Sequence, residues 1–185
     1  MAKRRYNAQM KIQQAGGHLD QMLRQTRAHH VQLSAMADVK ANGLMTMAAL
    51  MMTLSVPYLA NDHYQEAVAV LLVFGLLTIM LATFAVMPGI QLPSGSHAHP
   101  EKRGANFNLL FFGDFTQLTL DEYKAEMEIV MNDASRAYET QVQEIYVLGK
   151  YLAVRKYRLL RSAYLSFLTG LLSAIAVLVF VSVRG

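Results

Sequence analysis

Three apolar runs of about twenty residues each, Ala41–Ala60, Ala67–Met87 and Ala163–Val183, constrain this chain more than any other feature. At about 1.5 Å per residue, twenty helical residues span roughly 30 Å, the thickness of a bilayer's hydrocarbon core. Inside that core only a helix satisfies its own backbone donors and acceptors within one segment. The runs therefore predict an all-α membrane protein with three transmembrane helices. A hydrophobic fraction of 54% and a mean hydropathy of +0.23 fit that class better than a soluble domain. No Asp, Glu, Lys or Arg lies within any run, which argues against a proton relay or a coupled transporter.

The first two runs are joined by the short segment 61–66, so residues 41–87 form a helical hairpin (41–60 and 67–87), with Pro57 near the far end of its first arm. Sixteen of the seventeen Lys and Arg fall in residues 1–40 and 88–162, which three crossings place on one side. By the positive-inside rule that side is the cytoplasm, with the N-terminus inside and the C-terminus periplasmic or extracellular. The first 38 residues are charged and amphipathic and do not read as a signal peptide.

Residues 1–40 read as a cytoplasmic amphipathic or coiled-coil helix that begins after Gly16-Gly17 and runs unbroken into the first span. Its apolar seam follows Leu19, Met22, Thr26, His29, Leu33 and Met36, with Leu23, His30 and Ala37 beside it. Residues 88–118, with Pro88, Pro93 and Pro100 among several glycines, read as a cytoplasmic loop. Thr119-Leu-Asp-Glu122 has the form of a capping box. It predicts a long cytoplasmic helix over 119–162, continuous with the third span, 163–183, and carrying a seam through Gln141, Ile145, Leu148, Leu152, Arg155 and Leu159. Two of the three spans would thus extend into a cytoplasmic helical stalk of parallel helices. Counting down from the membrane pairs Arg24 and Arg27 with the level of Glu144 to Lys150, and Lys3 to Arg5 with Glu126 and Glu128. Simple solvation of each charge is the alternative.

The absence of Cys removes disulfides, thiolate nucleophiles and Cys-ligated zinc. His97-Ala-His99 and His29-His30 are the histidine clusters, the first in a Pro- and Gly-rich loop with no acidic partner at ligating spacing, and no phosphate loop, serine elbow or catalytic carboxylate pair is present. The chain is expected to be non-enzymatic, without metal or cofactor. A net charge of +4 needs no nucleic acid to explain it, because basic flanks of membrane spans account for it. Two polar stripes lie inside the spans: Asn42, Thr46, Ala49 and Thr53 in the first, and Ser162, Ser166, Thr169, Gly170 and Ser173 in the third. Such stripes either let helices pack closely or line a wet path. As pore-lining candidates they are Asn42, Thr46, Thr53, Ser166, Thr169 and Ser173, and a pore would need several copies, a tetramer being the simplest.

Asn108-Leu-Leu-Phe-Phe-Gly-Asp114, Leu118-Thr-Leu-Asp-Glu-Tyr123, the tyrosines from Tyr138 to Tyr157, and Ala37-Asp-Val-Lys-Ala41 together resemble the Pycsar effector transmembrane family of bacterial anti-phage defence. The chain is also similar in kind to Hailong-type nucleic-acid-gated channel subunits. The resemblance implies a bacterial inner-membrane effector, a homo-oligomeric pore or ion channel. A cyclic nucleotide or a DNA or RNA oligonucleotide, made by a nearby nucleotidyl transferase or cyclase, would open it or hold it shut. Membrane disruption and growth arrest would follow. For such a ligand Lys102, Arg103, Asn106, Asn108, Phe111 and Phe112 offer cations and aromatic faces in one segment, although the two Phe also suit an apolar wedge. The competing reading is a non-conducting membrane scaffold whose stalk recruits a partner protein.

Overall fold

A computed structural model describes residues 10–87 and 107–184. The expectations placed on Lys3 to Arg5, His97, His99, Lys102, Arg103 and Asn106 lie outside the described residues. The described chain is helical with no strand: α1, Gly17–Ser55; a 3-10 turn, Val56–Ala60; α2, Gln65–Val86; α3, Phe112–Phe115; α4, Leu120–Met131; α5, Ala134–Tyr151; a π-helical turn, Leu152–Lys156; and α6, Tyr157–Arg184. Three of these stretches are long and apolar enough to cross a membrane, so the protein is an all-α membrane protein. It divides into two units, Gln32–Pro88 with Tyr151–Gly185, and Met1–Val31 with Gly89–Lys150.

In the first unit, which holds the spans, the core is made of small side chains. Ala37, Ala41, Leu44, Ala82, Ala85, Leu160 and Ala163 are buried together, drawn from α1, α2 and α6. Methyl-sized side chains let helix backbones approach, which is how helices associate where lipid supplies no hydrophobic drive. Approach is closest at Gly170, where an added Cβ would lie 2.3 Å from the Cβ of Phe74. Beside it the Thr78 hydroxyl donates to the Phe74 carbonyl (2.7 Å) and lies 3.2 Å from the Ser166 hydroxyl. Ser166 in turn reaches the same carbonyl at 3.3 Å. Only 11 to 22% of the most apolar window of each span is buried within the chain, so lipid or further copies must cover the rest.

The second unit is held by polar contacts. Tyr138 donates to Asp20 at 2.6 Å, Arg27 meets Glu144 at 3.1 Å, and the His30 ring packs against Gly149. These contacts run in the same order along α1 and α5, so the two helices are parallel in this unit. The expected pairing of Arg27 at the Glu144 level is made.

Three expectations change. The capping box forms, with the Thr119 N–H donating to Glu122 and the Glu122 N–H to Thr119, but the helix it starts ends at Met131. Asn132 closes α4 by donating to the Glu128 carbonyl, and the Asp133 carboxylate accepts from the N–H groups of Ser135 and Arg136 to open α5. Two short polar side chains thus give the backbone a local alternative to continuing. Second, the buried seam of α1 follows Leu23, Ala37, Ala41, Leu44 and Ala48, whereas Met22 and Met36 are exposed. Third, from the end of the π turn onward the buried residues are Lys156 and Leu160, one position beyond the predicted Arg155 and Leu159. A π turn adds one residue to a helical turn, and the seam shifts by that residue.

Candidate ligand cavity and polar span face

The apparent loop before α4 folds on itself. Asn108 is buried, its side-chain oxygen accepts from the Leu110 N–H at 2.9 Å, and its own N–H donates to the Asp114 carboxylate at 2.9 Å. The Phe111 ring lies over Gly113, where an added Cβ would meet it at 2.5 Å. Asn108 and Phe111 therefore have structural employment within the Asn108–Asp114 turn, and Phe112 begins α3. This turn delivers Leu110 to the wall of a cavity of about 410 Å³.

The remaining walls come from α1 and α5. Asp20, Leu23, Arg24 and Arg27 recur three and four apart on α1, and Gln141, Glu144 and Ile145 do the same on α5, so each set faces one way. Glu144 is buried, and desolvation raises its pKa above the ordinary glutamate range, while the Arg27 guanidinium pulls it back down. The hydrogen bond that Tyr138 donates to Asp20, together with burial, raises the tyrosine's pKa. Arg24 makes no ion pair among the described residues. The cavity thus offers one uncommitted cation, one cation shared with a carboxylate that is poorly suited to its charge, an amide, and apolar walls. Sequence reasoning had placed the ligand candidates elsewhere. The available signal was a glutamate, Glu144, beside Ile145 on a seam that also carries Gln141, Leu148 and Leu152.

A second polar cluster belongs to the span unit. The Lys156 ammonium, buried at the π turn, lies 2.7 Å from the Asp38 carboxylate and 2.7 Å from the Ser34 hydroxyl, while the Tyr157 hydroxyl donates to the Leu33 carbonyl at 3.1 Å. Lys156 is therefore committed to α1.

The two polar stripes part company. Ser166 is buried against α2, and Gly170 beside it fits only because it lacks a side chain, so within this chain that stripe packs; Thr169 is exposed and Ser173 half-buried. Asn42, Thr46 and Thr53 are all exposed among the described residues. The Thr46 hydroxyl donates to the Asn42 carbonyl (3.0 Å) and the Thr53 hydroxyl to the Ala49 carbonyl (2.9 Å). These bonds satisfy the two hydroxyl donors within the helix and leave the Asn42 amide as the stripe's strongest outward polar group.

Among the described residues no cluster of His, Asp and Glu could hold a metal ion. A family model described as the Pycsar effector protein domain matches residues 21–183. No curated protein and no solved structure match.

Proposed function

Because this chain belongs to the Pycsar effector family and is thereby an anti-phage defence effector of the membrane, we propose that it acts as a homo-oligomeric, nucleotide-gated pore. The observation that carries this reading is α1 itself. One uninterrupted helix bears Arg24 and Arg27 of the cavity wall near its start and the outward stripe of Asn42, Thr46 and Thr53 in its apolar part. Three helices cannot enclose a water column, and four or more copies presenting this stripe inward would. The polar unit faces the cytoplasm, where sixteen of seventeen basic residues favour it, and the C-terminus lies on the opposite side of the inner membrane. A partner cyclase supplies the cyclic nucleotide. That ligand gates by binding the open and shut arrangements with different affinity, and the effector needs no catalysis of its own.

Ion flux from liposomes holding the purified protein, with and without cyclic nucleotides, tests the reading. Flux is expected to depend on the nucleotide and to fall at least about tenfold in Asn42→Leu with Thr46→Leu, which replace the polar stripe by apolar bulk. If no condition gives flux, or if the double variant still kills cells, the pore reading fails and a non-conducting scaffold replaces it.

A further inference from the structure

We propose that the cavity between α1 and α5 is the seat of the signal. It holds a nucleoside cyclic monophosphate, with the phosphate on Arg24 and Arg27 and the base between Gln141 and the apolar wall of Leu23 and Leu110. The inference takes its ligand class from the pore reading above, but the placement stands on the cavity.

The volume of about 410 Å³ falls within the range of roughly 300 to 1,000 Å³ in which small organic ligands are held. The chemistry of the wall is divided as such a ligand is divided. Planar guanidinium forks match phosphate oxygens two at a time. Arg24 is exposed and unpaired among the described residues, and Arg27 has Glu144 as its ion-pair partner. Glu144 already occupies the position on Arg27 that an anion would take. Burial disfavours its charge, whereas a phosphodiester keeps its charge at any physiological pH, so the ligand displaces Glu144 from Arg27. Asp20, the other carboxylate on the wall, has one oxygen engaged by Tyr138, and its second oxygen can accept from a ribose hydroxyl. The Gln141 amide offers both a donor and an acceptor to a base edge. Exchange of Arg27 from Glu144 to the phosphate removes a contact between α1 and α5, which gives the ligand a stake in their arrangement.

The full-length protein in detergent is titrated calorimetrically with each of the four common cyclic ribonucleoside monophosphates and with inorganic phosphate. One or more cyclic nucleotides should bind, with inorganic phosphate at least about a hundredfold weaker for want of the base and ribose contacts. Arg24→Gln, which breaks no ion pair among the described residues, should weaken nucleotide binding about tenfold. Glu144→Gln should tighten it severalfold by removing the internal competitor, a gain that a merely structural role would not produce. If wild type binds and conducts in response to a nucleotide while both variants bind with unchanged affinity, this seat is wrong and nucleotide gating stands. Equal affinity for inorganic phosphate overturns the assignment of base and ribose. If no probe binds and none alters flux, the seat and the gating fall together.

Discussion

The two units of this protein solve the same problem, holding parallel or antiparallel helices together, with opposite means. In the span unit the joint is mainly steric, with the single ion pair of Lys156 and Asp38 beside it among the described residues: Ala37, Ala41, Ala82 and Ala163 are small enough to bring backbones together, and Gly170 accepts Phe74. In the polar unit the joint is made of Tyr138 on Asp20, Arg27 on Glu144, and a cavity where packing is incomplete. A steric joint tolerates no added atoms, whereas a joint of exchangeable polar contacts next to free volume can be remade by a ligand. The rigid part and the responsive part of the molecule are distinguished by chemistry before any ligand is considered.

The sharpest way to break this contrast is Gly170→Leu. Its side chain would have to displace the Phe74 Cβ, which is fixed to the α2 backbone, and overpacking of that kind costs about 3 kcal/mol. Thermal unfolding in detergent should show the loss, while Leu172→Ala, on an exposed position of the same helix, should cost less than about 1 kcal/mol. Equal effects would mean that the α2–α6 contact is not the steric joint described.

Asp38→Asn comes next. It leaves Lys156 buried without a counter-charge, at a cost of about 2 kcal/mol, less than for a fully dry pair because the Asp38 side chain remains 41% exposed. Lys156→Met in the same background should recover most of the loss, since no lone charge is then buried. Failure to recover would show that the π turn itself, not the ion pair, needs Lys156.

The smallest effect belongs to Glu144. Its folded pKa is raised, so the stability it contributes is present below the ordinary glutamate pKa and is lost as pH rises through the folded value. Glu144→Gln should flatten that acid-side gain. Arg27→Gln should move the carboxyl's titration higher still, because the only cause lowering it is gone. A carboxyl-carbon NMR titration reads the direction.

How much of this was legible beforehand differs by feature. The spans, the capping box at Thr119 and the level of Arg27 opposite Glu144 follow from local composition and from counting along two helices. Reading Asn132-Asp133 as a break required weighing two adjacent capping side chains against a long apolar periodicity, and the caps prevailed. The ligand candidates in residues 108–112 were singled out by type alone. Asn108 also closes its own turn, its backbone N–H donating to the Asp114 carboxylate and its side-chain oxygen accepting from the Leu110 N–H.

What the sequence determined by itself is the kind of protein: apolar length sufficient to cross a bilayer three times and charges gathered on one side. Both are properties of segments that need no partner to be evaluated. The phase of each helix was decided only in three dimensions. Met22 or Leu23, Arg155 or Lys156, is a choice of one residue, about 100° of rotation, and sequence periodicity near 3.5 fits either. The neighbours made that choice, with Asp38 and Ser34 receiving the Lys156 ammonium and the π turn supplying the extra residue that brings it to them.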